Sequence, residues 1–133
     1  MKELMENTEE YLHANVTGEI ISAAMKVHTA LGPGLLESCY EACLAHELAN
    51  RGLVVQRQVE LPVRYDGASV GAGFRIDLLI NGCVIVELKA IDRVAPIHEA
   101  QLHTYLKLSG IRVGLLVNFN VISLRDGIKR RVL

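Results

Sequence analysis

The chain has 133 residues, a length that fits one domain able to bury a hydrophobic core. Half of the residues are hydrophobic and 22% are charged, which excludes a disordered chain. The net charge of −1 argues against a strongly basic protein that coats nucleic acid nonspecifically, although it is compatible with a local basic groove.

The N-terminus, from Met1 to Asn7, is polar and acidic and lacks the apolar core of a signal peptide. No apolar run approaches the roughly 18 residues that a membrane span requires. Cys39, Cys43 and Cys83 lie in apolar segments and fit reduced, buried thiols better than a disulfide framework. We therefore expect a soluble, cytoplasmic protein with no membrane partner. We assign residues 1–16 to an N-terminal extension and 17–133 to the domain.

Two helices are predicted at the start of this domain. The first covers residues 17–31, where Thr17 can cap its N-terminus, and it ends at Gly32-Pro33-Gly34. One side of it is expected to face the core and carries Ile21, Met25, His28 and Leu31. The second helix covers residues 35–51 and ends at Gly52.

Strands then dominate the pattern. Alternating hydrophobicity predicts a strand over residues 55–65, in which Pro62 indicates a sheet edge or a bulge. Further strands are predicted over residues 73–80 and 83–90, on either side of Asn81-Gly82. A helix from Pro96 to Ser109 follows, and strands are predicted over residues 112–119 and 128–133. This order predicts an α/β single domain with a mixed β-sheet flanked by helices and one crossover connection.

Asp77, Glu87 and Lys89 lie on two of these consecutive strands. The run around Glu87 is otherwise apolar, and a charge in such a strand is costly to bury unless it is paired or binds a metal. Glu87 and Lys89 share one strand face because they are two residues apart. A two-residue hairpin loop would pair Asp77 with Val86 and put the two acids on opposite faces. A shared metal ion therefore predicts a three-residue loop, a bulge or splayed strands.

Two helical pairs accompany these residues. Glu37 borders the apolar side of the second helix near Tyr40, although the helix dipole alone would also favour a glutamate there. Gln101 and Tyr105 lie four residues apart on the third helix, in a stripe with Ile97 and Leu108 that is expected to face the sheet. A glutamine at the rim of the core, with the tyrosine packed under it, is the simpler explanation of that pair.

Zinc chemistry is less well supported. His98 and His103 are five residues apart, whereas the zinc-protease helix needs a spacing of four. Cys39, Cys43 and His46 share a helical side but have no obvious fourth ligand, and His28 fits a hydrogen-bonded core histidine.

Several of these residues together form one ordered pattern. In chain order they are Glu37, Asp77, Glu87, Lys89, Gln101 and Tyr105. This pattern resembles the PD-(D/E)XK nuclease superfamily, and its Gln-x-x-x-Tyr part is similar to that of the RecB-type and lambda-exonuclease-like branch. Gly34-x-x-Glu37-x-x-Tyr40 resembles the small GxxExxY proteins of that superfamily. The resemblance covers residues 18–133, although Ile76 stands where the superfamily's name implies a proline.

The resemblance implies a restriction-endonuclease-like core with the order αβββαβ, and a nuclease that uses Mg²⁺ or Mn²⁺ on DNA in preference to RNA. Its implied metal ligands are Asp77, Glu87, the carbonyl group of Leu88, and Glu37 directly or through water. Its implied catalytic residues are Lys89 at the attacking water, Gln101 orienting the lysine or a phosphate, Tyr105 supporting it, and Glu37. Arg75 and Tyr40 are the candidate substrate-binding residues. The small size of the domain favours a homo-oligomer, since one copy would offer a short substrate groove.

Two other functions fit the same residues. The first is a binding or regulatory module that keeps the nuclease fold without turnover and acts within a complex. The second is a structural oligomer whose charged strand residues form a buried ion-pair network, although such networks are seldom a net gain in stability. Metal binding separates the second from the others, and turnover separates the first from a nuclease.

Overall fold

The computed structural model describes residues 12–133, and every structural statement below concerns that part of the chain. The helices are α1 (Ala14–Leu31), α2 (Glu37–Asn50) and α3 (Pro96–Ser109), and a 3-10 turn covers Leu124–Gly127. The strands are β1 (Val55–Tyr65), β2 (Ala68–Ile80), β3 (Val84–Lys89), β4 (Val113–Asn118) and β5 (Ile128–Val132). The predicted order of elements is confirmed.

One mixed sheet contains all five of these strands in the order β1-β2-β3-β4-β5. Neighbouring strands are antiparallel except β3 and β4, which are parallel and joined by α3. A parallel pair needs such a crossover, so the predicted return of the chain after Gly110 is confirmed. Strand β1 is an edge strand, and its register shifts between Pro62 and Arg64, as the proline indicated.

Helices cover both faces of the sheet. Helices α1 and α2 pack on one face, over residues such as Leu78, Val86 and Leu115. Helix α3 packs on the other face, over Ile85 and Leu116. The fold is thus a single small α/β domain with a restriction-endonuclease-like arrangement. No helix within residues 12–133 is long and apolar enough to cross a bilayer.

Helix α1 begins earlier than predicted. Its first residue is Ala14, and the hydroxyl group of Thr17 donates a hydrogen bond to the carbonyl of Ala14 instead of capping the helix. The predicted division into an N-terminal extension (residues 1–16) and a domain (residues 17–133) stays a prediction, and residues 1–11 lie outside the described part of the chain.

Three predicted faces are wrong in detail. The buried side of α1 carries Ile20, Ala24 and Val27, and Leu31 is exposed. On α3, Leu102 and Leu106 face the sheet, while Ile97 and Leu108 are exposed. The cysteines were expected to be buried, but Cys39 and Cys43 are exposed and Cys83 is half-buried. The prediction that His28 is a hydrogen-bonded core histidine is confirmed, since its Nε2 atom lies 2.8 Å from the carbonyl oxygen of Val121.

Candidate metal centre at the β2–β3 hairpin

The hairpin between β2 and β3 sets the relative position of the two acids. Ile80 pairs with Val84, so the loop contains the three residues 81–83, and Leu78 pairs with Val86. One step beyond that last pair, Asp77 lies opposite Glu87. Of the three predicted alternatives, the three-residue loop is found, and it brings the two carboxylates together where a two-residue loop would separate them.

At this point the side-chain oxygens of the two acids, and not backbone carbonyls, accept the hydrogen bonds of the backbone N–H groups. The backbone N–H of Asp77 donates to Glu87 Oε1 at 3.1 Å, and the backbone N–H of Leu88 donates to Asp77 Oδ2 at 2.8 Å. The regular ladder between the strands ends at Leu78 and Val86. The strands therefore splay, as predicted, and each acid is held by the backbone of the opposite strand.

Glu87 is buried with only 4% of its surface exposed. Burial, the larger cause, and the charge of Asp77 together raise the pKa of Glu87 to about 8, against the opposing effects of the Asp77 N–H and of Lys89. At neutral pH the carboxyl group of Glu87 therefore carries a proton. A cation at the same place would replace that proton and balance both charges.

Lys89 follows Glu87 on the same face of β3 and is half-buried. Its backbone carbonyl accepts a hydrogen bond from the Phe119 N–H at 2.9 Å, which fixes it against the end of β4. Its charge lowers the pKa of Glu37 as well as that of Glu87, so its ammonium group lies within electrostatic reach of both acids.

Glu37 is the first residue of α2 and is exposed at the open side of the centre. Partial burial of its carboxyl group raises its pKa, and the charges of Asp77 and Glu41 raise it further. Glu37 therefore lies within electrostatic reach of Asp77 and Lys89, which belong to two other elements.

Tyr40 is fully buried and belongs to the framework of the centre. Its hydroxyl group donates to the Gly32 carbonyl at 2.6 Å and accepts from the Leu35 N–H at 3.1 Å, and its ring stacks on Phe119 at 4.5 Å. Both bonds fix the loop that leads to Glu37. A side chain so enclosed cannot touch a substrate, so the prediction that Tyr40 binds substrate is corrected.

Sequence reasoning missed a polar chain that reaches Asp77 from α2. Glu41 is buried, and its carboxylate accepts hydrogen bonds from Arg57 at 3.0 and 3.2 Å and from the amide of Gln58. The same Gln58 amide donates to Asp77 Oδ1 at 3.3 Å. The available signal was the spacing of Glu41, which lies one helical turn after Glu37 on α2.

The residues on α3 approach the centre from the other face of the sheet. The ring of Tyr105 stacks on Phe74 at 4.8 Å, and burial together with the charges of Glu87 and Asp77 raises its pKa. Its hydroxyl group therefore lies within the field of both acids. Gln101 is half-buried one turn earlier, and its predicted contact with Lys89 stays a prediction.

Arg75 lies further out on β2, where it is exposed and pairs across the sheet with Glu60. The two residues line a shallow cavity of about 300 Å³ with Phe74 and Gly73. This cavity adjoins the strand that carries Asp77, so the role of Arg75 in binding substrate stays open to test.

The donor set suits a hard divalent cation. Asp77 and Glu87 offer carboxylate oxygens, the ligands that Mg²⁺ and Mn²⁺ prefer. Within residues 12–133, no group of three or more His, Cys, Asp or Glu side chains is already arranged around one metal position. Mg²⁺ commonly binds through one or two carboxylates and keeps several waters, so a pair of carboxylates is a sufficient donor set for it.

The comparison with protein families identifies the superfamily to which the chain belongs. The family model of the PD-(D/E)XK nuclease superfamily matches residues 14–131. That range includes both acids, Lys89 and all of α3. No curated protein and no solved structure matches the chain.

Proposed function

Because the chain belongs to the PD-(D/E)XK nuclease superfamily, we propose that it is a metal-dependent nuclease that hydrolyses phosphodiester bonds. The observation that carries the proposal is the pairing of Asp77 with Glu87 across the splayed hairpin, with Lys89 on the same strand face as Glu87. Charges inside a sheet are costly to bury, so two neighbouring carboxylates at the point where the β2–β3 ladder ends support a bound cation.

Each residue has a stated task in this proposal. Asp77 and Glu87 hold Mg²⁺ or Mn²⁺ with the carbonyl of Leu88, and Glu37 joins them directly or through water. The chemistry that such an ion would supply when bound is polarisation of a phosphoryl oxygen and a lower pKa of bound water. Lys89 positions the attacking water, helps to remove its proton and offsets the charge that develops on the phosphate.

The residues of α3 and β2 act on the substrate side. Gln101 orients Lys89 or a phosphate oxygen, and the hydroxyl of Tyr105 supports that arrangement. The exposed guanidinium of Arg75 binds a phosphate group away from the scissile bond. Glu37 is supplied by the first turn of α2, and the hydrogen bonds of Tyr40 fix the loop that precedes this turn.

DNA is the proposed substrate in preference to RNA, which is supported by the resemblance to the lambda-exonuclease-like branch. The chain has no tryptophan and only six other aromatic residues of the Phe and Tyr types, which gives little support to base stacking as a means of sequence-specific readout. We further place the chain among the GxxExxY proteins on the motif that ends at Tyr40, and we propose that it acts as a homo-oligomer.

The test begins with calorimetric titration of Mg²⁺ and Mn²⁺ into the wild type, Asp77→Asn and Asp66→Asn. Asp66 is the matched control, because it lies in the exposed β1–β2 turn and also loses one carboxylate. The same three proteins are then incubated with labelled single-stranded DNA, double-stranded DNA and RNA. We expect binding and cleavage by the wild type and by Asp66→Asn, and loss of both in Asp77→Asn.

Two results would contradict parts of the proposal. Metal binding without cleavage of any substrate would indicate the regulatory module in place of the nuclease. Absence of metal binding by the wild type would reject the mechanism while leaving the fold unchanged.

A further inference from the structure

Gln58 has an unusual backbone conformation for a strand residue. Its φ angle is +51°, a left-handed value that non-glycine residues seldom adopt in the middle of a strand. It lies directly opposite Asp77, since the pairs Arg57–Leu78 and Val59–Ile76 enclose the two residues in the register of β1 and β2. A strained residue that is held in place beside a candidate centre suggests a functional reason.

Both strands change faces at this pair. Val55 packs with the core under α1 and α2, whereas Val59 packs with the core under α3. On β2 the same change occurs between Leu78 and Ile76. In a regular strand, residues separated by an even number of positions lie on the same face. The left-handed conformation of Gln58 therefore coincides with the point beside Asp77 where the side chains of both strands exchange faces.

The side chain of Gln58 uses both of its amide hydrogens at the centre. One is donated to Glu41 Oε1 and the other to Asp77 Oδ1, the latter at 3.3 Å. Both acceptors are carboxylate oxygens, so only the NH₂ end of the amide can face them. Glu41 is in turn fixed by two hydrogen bonds from Arg57, which anchors the chain to β1.

The two oxygens of Asp77 are consequently held from two sides. Oδ1 accepts from Gln58, and Oδ2 accepts from the Leu88 N–H at 2.8 Å. A carboxylate has about four acceptor positions, so each oxygen keeps one for a cation. We propose that Gln58 is a positioning residue that orients the Asp77 carboxylate for metal binding, an inference that rests on the proposed function.

Gln58→Asn tests this role while preserving the backbone. Asparagine tolerates the left-handed region well, but its amide is one carbon shorter and cannot bridge Glu41 and Asp77. Gln56→Asn is the matched control, because Gln56 is exposed on the same strand and forms its pair with Leu79. Gln58→Gly is a second variant that removes the amide and the backbone strain together.

The probe is Mn²⁺, titrated by calorimetry, with the thermal midpoint of each metal-free variant measured in parallel. We expect Gln58→Asn and Gln58→Gly to bind Mn²⁺ roughly 10-fold or more weakly than the wild type. The thermal midpoint of Gln58→Gly should stay equal or rise, because glycine relieves the strain at this φ angle. Unchanged Mn²⁺ affinity in both Gln58 variants would overturn the proposal, and so would an equal loss in Gln56→Asn.

A second readout needs no metal. The Leu88 amide reports on the orientation of Asp77, because its N–H bonds to Oδ2. We expect faster hydrogen exchange of this amide in Gln58→Asn than in the wild type, and no change in Gln56→Asn. If the wild type binds no Mn²⁺, the proposed function fails. The exchange rate of the Leu88 amide still tests whether Gln58 orients Asp77, because this measurement needs no metal. Unchanged exchange in Gln58→Asn would overturn the positioning role.

Discussion

Asn118 lies directly beside Lys89 in the parallel register of β3 and β4, and its side chain ties down the segment that follows the lysine. Its amide accepts from the Ile91 N–H at 3.1 Å and donates to the Ile91 carbonyl at 2.9 Å. Asn118 is buried, with 2% of its surface exposed, and its side-chain oxygen also accepts a hydrogen bond from the Asn120 N–H at 3.2 Å. The path of the chain after Lys89 thus depends on one buried amide at the end of β4.

Replacement of Asn118 by leucine should therefore destabilise the protein. The change leaves the N–H and C=O groups of Ile91 without a partner, at a cost of about 2–4 kcal/mol in the free energy of unfolding. Urea unfolding of Asn118→Leu measures this cost. Asn50→Leu is the control, since Asn50 is exposed at the end of α2, and it should change the free energy by less than about 0.5 kcal/mol. Equal effects of the two substitutions would contradict the role given to Asn118.

Tyr40→Phe tests the loop before Glu37. The substitution keeps the ring that stacks on Phe119 and removes the hydroxyl that bonds to Gly32 and Leu35. We expect a loss of about 1–3 kcal/mol in the free energy of unfolding. Tyr65→Phe removes the same atom from a side chain that is 74% exposed and should be nearly neutral. A neutral Tyr40→Phe would show that the loop holds its conformation without the hydroxyl.

Gly114 permits the close approach of α3 to the sheet. A Cβ atom at this position would lie 2.7 Å from Leu102 Cδ1 and 3.3 Å from Leu106 Cδ2. Gly114→Ala should therefore overpack the interface and destabilise the protein by about 1–3 kcal/mol. Gly18→Ala is the opposite case, because Gly18 lies inside α1 with nothing within 4 Å of the added atom, and it should stabilise the protein by up to about 1 kcal/mol. Thermal unfolding of the two variants should show midpoints displaced in opposite directions.

Local signals account for the elements that were predicted well. Helix α3 begins at Pro96 and ends before Gly110, as predicted, because proline suits the first helical position and glycine adopts the left-handed C-terminal conformation, here with φ +76°. The start of α1 was missed for the converse reason. Thr17 is a good capping residue, but here its hydroxyl bonds back to Ala14 within a helix that had already begun.

The part of the candidate centre that could be predicted is the relative position of Asp77 and Glu87, because the β2–β3 hairpin alone sets it. The need for Asp77 and Glu87 to share a metal ion implied an irregular connection, and the three-residue loop provides it. The polar chain from Glu41 through Gln58 was not predictable, since it requires α2 to pack against β1. It also requires a positive φ angle at a glutamine, and no sequence pattern indicates that conformation in a residue other than glycine, asparagine or aspartate.

The raised pKa of Glu87 predicts a pH-dependent contribution to stability in the metal-free protein. Its pKa is about 8 in the folded state against an ordinary value of 4.5. The folded state therefore holds the proton more tightly, so the contribution of Glu87 is fully present below pH 4.5 and is lost as the pH rises through about 8. The difference in unfolding free energy between the wild type and Glu87→Gln should fall over that range. A flat difference for Glu87→Gln would contradict the assignment.

Binding of a divalent cation should release the same proton. Near pH 6.5, Glu87 is protonated in the metal-free protein, whereas a carboxylate must be ionised to bind a cation. Calorimetric titration of Mn²⁺ in buffers of different ionisation enthalpy counts the protons released. We expect close to one proton per ion at pH 6.5 and close to none at pH 9, with apparent affinity rising between them. In Glu87→Gln the release should disappear together with most of the affinity. Release that is independent of pH would assign the proton to a group other than Glu87.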